Sequence, residues 1–387
     1  MVGRELNILL SRSFFLFGAR GVGKTRLLKE TFSKEQSTFW IDLLLPSEFD
    51  RYLLDPELLI RKVDALERAP EWIVIDEVQK IPKILDVVHH LIEERKLRFA
   101  LSGSSAKKLR AGGANLLAGR AFVYHLYPFT AAELGEQFNL DEALAFGTLP
   151  EISALATPEE KERYLESYAL TYLKEEVWNE HLVRALEPFR RFLEVAAQTS
   201  GSIVNFAKIA RDVGVDEKTV KSYFSILEET LLGFFLDSYH TSLRKTQRRS
   251  PKFYLFDLGV IRAFERTLQI PITPRTYGYG RLFEHFVLQE VVRKNVYRRK
   301  NFSLYYFQSQ ANVEVDLVID RPGEDPVLVE IKSTDRISRE DIHCVRTLLR
   351  ELPKAQGYCF SRDNHIQVLD GVRCLPWDVG LKELGLW

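Results

Sequence analysis

Short apolar runs recur along the first third of the chain, and each has the length of a strand rather than a helix. They cover residues 14–17, 38–43, 72–75, 98–102 and 121–126, with polar or helix-forming stretches between them. A continuous apolar run suits a strand whose two faces are both covered, as in a parallel sheet. The pattern therefore predicts an α/β domain with a parallel sheet over residues 1–135.

Helical spacing replaces this pattern further along the chain. Residues 157–160 read Thr-Pro-Glu-Glu, in which Thr caps a helix, Pro takes the first helical position and Glu completes a capping box. Apolar side chains then follow at helical spacing: Tyr164, Leu165, Tyr168 and Tyr172. These residues predict an amphipathic helix that ends near residue 180. This helix belongs to a predicted helical lid, which comprises residues 136–190.

Residues 203–240 have the pattern of a helix-turn-helix. Gly214 lies in the predicted turn, and Asp216 caps a second helix. The inward face of that helix is predicted to carry Val220, Tyr223 and Leu227. A strand pair at 231–239 and 252–257 follows. Together these elements predict a winged helix, which we assign to residues 191–250.

The order of elements after residue 250 predicts a second α/β domain, over residues 251–387. A helix opens near residue 280, and strands follow at 304–308, 313–320 and 327–332 before another helix and strand. Alternation along a strand places Glu314 and Asp316 on one face, and it makes Glu330 and Lys332 point together. Adjacent strands then gather Asp316, Glu330 and Lys332, with Glu284 added from the helix.

The chemistry of the first domain begins directly after its first apolar run. Residues 18–25 read GARGVGKT and fill every position of the phosphate-loop pattern GxxxxGK[ST]. Glycines allow the backbone amides to close around a polyphosphate at the start of a helix. Lys24 supplies a charge to the outer phosphates, and Thr25 ligates magnesium. The predicted ATP-binding residues of this loop are Gly18, Ala19, Arg20, Gly21, Val22, Gly23, Lys24 and Thr25.

A pair of acids ends the third apolar run. Asp76 is predicted to hold the magnesium ion, and Glu77 to orient and deprotonate the attacking water. At the tip of the next strand, Ser104 is predicted to lie near the outer phosphate, with Ser102 as the alternative residue. The other interpretation of this serine is the N-cap of a helix. Arg120 is predicted to stabilise transition-state charge, in its own site or a neighbour's, unless it is a surface arginine.

Basic side chains in the middle of the chain point to a polyanion. Residues 191–300 carry 19 Lys and Arg against 11 Asp and Glu, although the whole chain is balanced at 54 of each. Outward residues of the second helix, namely Lys218, Lys221, Ser222 and Ser225, are candidates for DNA contact. The acidic residues Asp216 and Glu217 at the helix tip would repel phosphate and argue against DNA contact by this helix. A cluster of Arg244, Lys245, Arg248 and Arg249 is the better phosphate-binding candidate.

A second basic group ends the helix that follows residue 280, and its role is left open between two alternatives. It consists of Arg293, Lys294, Arg298, Arg299 and Lys300. These side chains either hold a DNA backbone or complement the helix dipole. His285, beside Glu284, is predicted to be structural.

Composition indicates the cellular compartment of the protein. Three cysteines without CxxC spacing argue against a disulfide framework and a zinc site, and they fit a reducing cytoplasm. No apolar run approaches the ~18 residues that a membrane span needs. We therefore expect a cytoplasmic protein with no membrane contact.

Four segments together resemble a known family. FGARGVGKT, WIVIDEVQK, LSGSS with LAGR, and SPKFYLFDLG are similar to the archaeal and bacterial AAA+ ATPases that carry a C-terminal domain of uncharacterised function. The resemblance covers essentially the whole chain and implies ATP binding and hydrolysis. A ring of subunits is common in this class, and the sequence does not demand one.

The C-terminal residues are similar to the PD-(D/E)xK nuclease superfamily, and especially to Holliday-junction resolvases. The resemblance implies a restriction-endonuclease-like fold in which Asp316 and Glu330 bind magnesium or manganese, Glu284 completes the metal shell, and Lys332 positions the attacking water. Related domains in the matched ATPase family can keep the fold without the activity.

These observations lead to two hypotheses of different classes. In the first, ATP state controls how a winged helix and a metal-dependent nuclease-like domain engage DNA. In the second, the chain is an ATP-dependent switch whose C-terminal domain docks a protein partner and cleaves nothing. Homo-oligomerisation is left open in both.

Overall fold

The computed structural model describes residues 2–32, 37–104, 117, 119–171, 183, 185–240, 250–309 and 313–387. Two compact units emerge from the contacts between residues. The first comprises residues 1–128 and 229–232, and the second comprises residues 129–228 and 233–387. The four-part division predicted from the sequence stays a prediction.

A five-stranded parallel sheet forms the centre of the first unit. Its strands are β1 (Ser13–Phe17), β2 (Thr38–Asp42), β3 (Trp72–Asp76), β4 (Arg98–Gly103) and β5 (Ala121–His125), in the spatial order β2-β3-β4-β1-β5. Among the described residues of this unit, the helices are α1 (Lys24–Thr31), α2 (Pro46–Leu54), α3 (Leu58–Asp64) and α4 (Ile84–Arg95). All five strands lie where the apolar runs predict them, which confirms the parallel α/β sheet.

Both faces of this sheet are buried, as its continuous apolar strands require. On one face Phe14 and Trp72 pack with Phe32 and Tyr124, with ring centroids 5.0 to 6.3 Å apart. On the other face, alternate strand residues, among them Phe15, Phe17 and Ile73, join a second cluster with α2, α3 and α4. The sheet thus places the ends of β1, β3 and β4 side by side on a rigid support.

The second unit contains ten helices among the residues that the structure describes. They are α5 (Ala131–Leu134), α6 (Leu140–Phe146), α7 (Pro158–Thr171), α8 (Leu186–Gln198), α9 (Phe206–Val213), α10 (Glu217–Glu229), α11 (Leu258–Glu265), α12 (Tyr277–Tyr297), α13 (His343–Glu351) and α14 (Trp377–Glu383). The predicted capping box of α7 is confirmed, since Glu160 N donates to Thr157 Oγ1 and Thr157 N to Glu160 Oε2. Leu165 and Tyr168 of α7 are buried, whereas Tyr172 lies outside the described residues.

An eight-stranded mixed sheet spans the second unit. Its strands are β6 (Gly233–Ser238), β7 (Lys252–Leu255), β8 (Ser303–Gln308), β9 (Glu314–Asp320), β10 (Val327–Lys332), β11 (Gln356–Ser361), β12 (Gln367–Leu369) and β13 (Val372–Pro376). Their spatial order is β12-β13-β11-β10-β9-β8-β6-β7. The predicted order of helix, three strands, helix and strand after residue 280 is confirmed by α12, β8, β9, β10, α13 and β11.

The helices and hairpin predicted for a winged helix are present. Gly214 ends α9 with φ 80°, and Asp216 Oδ1 accepts a hydrogen bond from Thr219 N at the start of α10. Strands β6 and β7 pair antiparallel, and β6 also pairs with β8 through Asp237 and Tyr305. The hairpin is therefore part of the C-terminal sheet, and the predicted boundary after residue 250 falls inside the hairpin.

Two of the basic residues at the end of α12, Arg293 and Lys294, are buried. The alternative that these two side chains hold a DNA backbone is therefore wrong. Arg293 donates hydrogen bonds to the carbonyl oxygens of Phe129 and Phe256, at 2.9 and 3.0 Å. The Lys294 ammonium lies 4.8 Å from the centre of the Trp387 ring. Both side chains hold the second unit together because they satisfy buried acceptors and an aromatic face.

Close packing at a glycine gives a test of this unit. Gly259 in α11 packs so tightly that a Cβ would overlap the Phe146 carbonyl oxygen, whereas Gly278 in α12 has open space around its Cβ position. We expect Gly259→Ala to lower the free energy of unfolding by about 1–3 kcal/mol. The matched Gly278→Ala should be neutral or stabilising by up to about 1 kcal/mol. Urea denaturation measures both, and equal effects would contradict the packing.

A buried carboxyl on α12 makes stability depend on pH. Burial raises the pKa of Glu290 to about 7, although the Arg293 guanidinium 3.5 Å away opposes the shift. The folded chain therefore keeps this proton up to about pH 7, whereas the unfolded chain releases it near its ordinary pKa of about 4.3. Ionisation favours unfolding, so this group destabilises the fold as the pH rises through that window.

We expect Glu290→Gln, which does not titrate, to gain stability relative to the wild type as the pH rises. The difference in free energy of unfolding should shift by about 2–3 kcal/mol between pH 5 and pH 8. Denaturant titrations at both values measure it, with the exposed Glu136→Gln as control. A shift of the same size in the control, or none in Glu290→Gln, would count against the buried carboxyl.

Across the described ranges, no helix combines the length and the apolar composition needed to cross a membrane.

Candidate nucleotide site and carboxylate cleft

The loop between β1 and α1 has the backbone form that its glycines allow. Gly21 and Gly23 have φ values of 79° and 93°, which side-chain-bearing residues rarely adopt. Gly18 is needed for a different reason, because a Cβ there would lie 2.5 Å from the Leu126 carbonyl oxygen. Arg4 also donates a hydrogen bond to the Val22 carbonyl oxygen of the loop, a contact that sequence reasoning did not predict.

Lys24 and Thr25 begin α1 at the end of this loop. The Lys24 ammonium is buried and donates to the carbonyl oxygens of Gly18 and Ala19, at 2.9 and 3.1 Å. Thr25 Oγ1 donates to Asp76 Oδ2 at 2.7 Å, although the two residues are 51 positions apart. The structure thus brings together the two predicted magnesium ligands, and their hard oxygens fit that ion.

Asp76 lies fully buried at the end of β3. Besides Thr25, it accepts a hydrogen bond from Ser102 Oγ, and the same Ser102 hydroxyl accepts one from Glu77 N at 3.1 Å. Burial raises the pKa of Asp76, whereas the hydrogen bonds from Ser102 and Thr25 lower it. Ser102 therefore positions the acid pair.

Glu77 is held by a residue that sequence reasoning missed. Glu77 has a left-handed backbone with φ 61°, which is strained for a non-glycine residue. Gln79 Nε2 donates to Glu77 Oε2 and also to Ser104 Oγ, the latter at 3.2 Å. Gln79 thus links the predicted base to Ser104. An amide two residues after the acid pair was the available sequence signal.

We expect Gln79→Ala to slow ATP turnover about 10-fold while leaving the KM for ATP unchanged. A hydrogen bond to a charged group contributes about 1.5–3 kcal/mol, and its loss frees the Glu77 carboxylate from one orientation. Steady-state kinetics measure both constants, and the exposed Gln137→Ala is the control. A rise in KM without a fall in kcat would contradict a positioning role.

Arg120 is partly exposed and forms an ion pair with Glu93 of the same unit. Its predicted role in transition-state stabilisation stays a prediction. The same holds for Ser104 as a contact of the outer phosphate.

Of the outward residues predicted for α10, Ser222 is exposed and Ser225 is half-buried. Val220, Tyr223 and Leu227 are buried, whereas Lys218 and Lys221 are exposed. Lys221 pairs with Glu217 at 2.7 Å, which neutralises part of the predicted surface. Arg244, Lys245, Arg248 and Arg249 lie outside the described residues.

Glu284, Glu314 and Lys332 line a cleft of about 460 Å³, which we call the carboxylate cleft. The other two predicted acids, Asp316 and Glu330, are buried and interact electrostatically with Glu284. Glu284 from α12 lies at the cleft, where Tyr254 Oη donates to its Oε1 at 3.3 Å. Asp316 on β9 is buried, and its Oδ2 accepts a hydrogen bond from Ile331 N at 2.8 Å. Lys332 Nζ donates to Glu330 Oε1 at 2.6 Å, while Glu330 Oε2 is buried without a hydrogen-bond partner.

Lys252 of β7 reaches the same cleft and was not among the predicted site residues. Its Nζ lies 2.6 Å from Glu314 Oε1 and 3.8 Å from Glu284 Oε1, and its side chain is 4% exposed. Lysine as the first residue of an otherwise apolar strand was the available signal. Lys252 and Lys332 thus line this cleft with Glu284 and Glu314, while Asp316 and Glu330 are buried and interact electrostatically with Glu284.

Electrostatics tie these groups together. Burial and the charge of Asp316 raise the pKa of Glu284 to about 7 and that of Glu330 well above its ordinary value. Burial favours neutral Lys252, but the surrounding acids raise its pKa well above the usual range. His285 is structural, as predicted, because Nε2 meets the Leu255 carbonyl oxygen at 2.7 Å and burial lowers its pKa to about 3.

This arrangement does not form a ready metal site. Within the described residues, no three His, Cys, Asp or Glu side chains are grouped so as to hold a metal ion. Lysines approach Glu284 and Glu330, and a backbone amide takes one oxygen of Asp316. The metal predicted at these residues therefore does not fit the site as arranged, although Glu330 Oε2 is a buried oxygen without a hydrogen-bond partner.

Three family models match consecutive parts of the chain. An AAA domain matches residues 11–135, and domains of unknown function match residues 137–270 (DUF8612) and 279–379 (DUF4143). Uncharacterised proteins of Mycobacterium tuberculosis and Mycobacterium bovis are 27% identical over 371 residues, covering 94% of this chain and 79% of theirs. One from Methanocaldococcus jannaschii is 20% identical over 351 residues, covering 84% and 76%.

Two solved structures show only weak similarity. Domain III of the replication initiation protein DnaA from Thermotoga maritima covers 57% of this chain and 85% of its own, and the DNA clamp loader delta protein of Bacillus subtilis covers 72% and 94%. Both are 15% identical with a TM-score of 0.22, which is too low to carry an argument. The AAA match, together with the parallel sheet and its phosphate loop, supports an AAA-type ATPase.

Proposed function

We propose that this protein binds and hydrolyses ATP at the loop of residues 18–25, and that its nucleotide state controls how the second unit engages DNA. The hydrogen bond between Thr25 and Asp76 carries the proposal, because it brings the end of the phosphate loop to the end of β3. The AAA domain match over residues 11–135 supports the same assignment.

Each residue has a defined part in this reaction. Loop amides and Lys24 bind the phosphates and offset their negative charge. Thr25 and Asp76 would hold the magnesium ion, which neutralises phosphate charge when bound. Glu77, held by Gln79, orients the attacking water and accepts its proton.

Calorimetry with a nonhydrolysable ATP analogue and Mg²⁺, combined with a phosphate-release assay, tests this function in the full chain. One analogue per chain and measurable release of phosphate would support it. An absence of both heat and phosphate release would overturn it. Analogue binding without phosphate release would restrict the protein to nucleotide binding.

DNA engagement rests on charge. Residues 191–300 have an excess of basic residues, and Lys218 is exposed on α10. Binding of labelled duplex and branched DNA should fall steeply between 50 and 200 mM salt and differ with and without the ATP analogue. The cluster of Arg244, Lys245, Arg248 and Arg249 is the set to replace with alanine, with Arg163 and Lys354 as surface controls. Salt-insensitive or absent binding would contradict this coupling.

For the carboxylate cleft, we infer that the second unit cleaves nothing. Lys252 and Lys332 pair with its acids, so the cleft already contains positive charge. Metal-dependent DNA cleavage is the second candidate, and the unsatisfied Glu330 Oε2 favours it. Wild type and Asp316→Ala, incubated with linear and branched DNA in Mg²⁺ or Mn²⁺ with and without ATP, separate the two. Cleavage that Asp316→Ala abolishes would establish the second candidate.

A further inference from the structure

The carboxylate cleft contains a cation of its own. Lys252 Nζ lies 2.6 Å from Glu314 Oε1 and 3.8 Å from Glu284 Oε1, and it also faces the Tyr306 ring at 5.4 Å. Its side chain is almost completely buried, at 4% exposure. A buried lysine in this position is held by the acids around it, because burial weakens the screening of their attraction.

The backbone fixes Lys252 in this place. It lies at the start of β7, where it pairs with Leu236 of β6 and forms a bridge to Ile203. The sheet therefore presents its side chain toward Glu314 at the start of β9 and Glu284 on α12. This position does not depend on a flexible surface loop.

The remaining acids of the cleft are also engaged. Asp316 Oδ2 accepts from Ile331 N, and Glu330 Oε1 accepts from Lys332 Nζ. A divalent ion that used Glu284, Asp316 and Glu330 together would compete with the ammonium group of Lys252 for Glu284 and with that of Lys332 for Glu330. Like charges in such a small buried site repel strongly.

We propose that Lys252 is the resident cation of this cleft and takes the place of a divalent metal ion. The folded chain then has a carboxylate cluster that is neutralised from within by Lys252 and Lys332. This inference does not depend on the nucleotide site, and its test is made without ATP.

Electron paramagnetic resonance of Mn²⁺ mixed with the full chain tests the proposal. Wild type and Asp316→Asn should bind the same amount of Mn²⁺, because no ion occupies the cleft of the wild type. Lys252→Met should bind one Mn²⁺ per chain, at least about 10-fold tighter than wild type, because the competing charge is gone. The double variant Lys252→Met with Asp316→Asn should lose this ion. The exposed Lys354→Met is the control for a lysine removed elsewhere.

Two results would overturn the proposal. One is Mn²⁺ that the wild type binds and Asp316→Asn does not. This result would overturn the proposal without any Lys252 variant. The other is a folded Lys252→Met that binds no more Mn²⁺ than wild type. If Lys252→Met does not fold, Lys252→Gln replaces it with a polar side chain, and Lys252→Arg, which keeps the charge, should still exclude Mn²⁺. Mn²⁺ held at the phosphate loop is recognised because Asp76→Asn removes it.

Discussion

Replacement of Lys24 with alanine is expected to lower ATP turnover at least ~100-fold and to weaken binding of the ATP analogue. The ammonium of Lys24 is buried at the mouth of the loop, where it contacts the carbonyl oxygens of Gly18 and Ala19. Alanine removes this positive charge, which offsets the negative charge of the outer phosphates. Phosphate release and calorimetry measure the two losses.

The matched control is Lys29→Ala. Lys29 is an exposed lysine on the same helix, so it reports the effect of removing a charge from α1 without touching the loop. Circular dichroism and thermal melts of both variants separate a local effect from unfolding. Hydrolysis that persists in a folded Lys24→Ala would rule out the phosphate-loop assignment.

Glu77→Gln is expected to have the second large effect, on hydrolysis alone. The amide keeps the size of the side chain and its left-handed backbone, but it cannot accept a proton from water. General-base catalysis contributes about 10²–10⁴-fold, so turnover should fall by that factor while analogue binding stays within a few-fold of wild type. Single-turnover assays and calorimetry distinguish the two steps.

The control for this change is Glu71→Gln, an exposed acid just before the same strand. It should leave turnover unchanged. Unaltered turnover in Glu77→Gln would remove Glu77 from the reaction and direct attention to another base. A parallel loss of analogue binding would instead mean that the acid pair supports the loop.

Much of the nucleotide site could be predicted from the sequence because its parts follow simple chain geometry. The loop and α1 are contiguous, and Asp76 ends a strand that is parallel to β1. Parallel strands bring their carboxyl ends to one edge of the sheet, so the meeting of Thr25 with Asp76 follows from the strand pattern. Ser102 and Gln79 were harder to assign, because their partners depend on side-chain directions at neighbouring strand ends.

The cleft of the second unit was predictable only in its acids. Strand alternation gathered Asp316 and Glu330, and Asp316 Oδ2 accepts a hydrogen bond from the backbone N–H of Ile331, next to Glu330. Lys252 is far from them in sequence and enters through β7, which reaches this sheet only because β6 pairs with β8. The prediction that Arg293 and Lys294 are candidates for DNA contact was wrong for a similar reason. The helix pattern does not reveal which residues pack over their face of α12.

The amino-acid sequence by itself determined the phosphate loop, the five parallel strands of the first unit and the acids of the cleft, since local spacing and period fix all of them. Tertiary structure alone decided which positive charges neutralise those acids and which basic residues are buried. The physical reason is that ion pairing and burial are set by neighbours from distant parts of the chain.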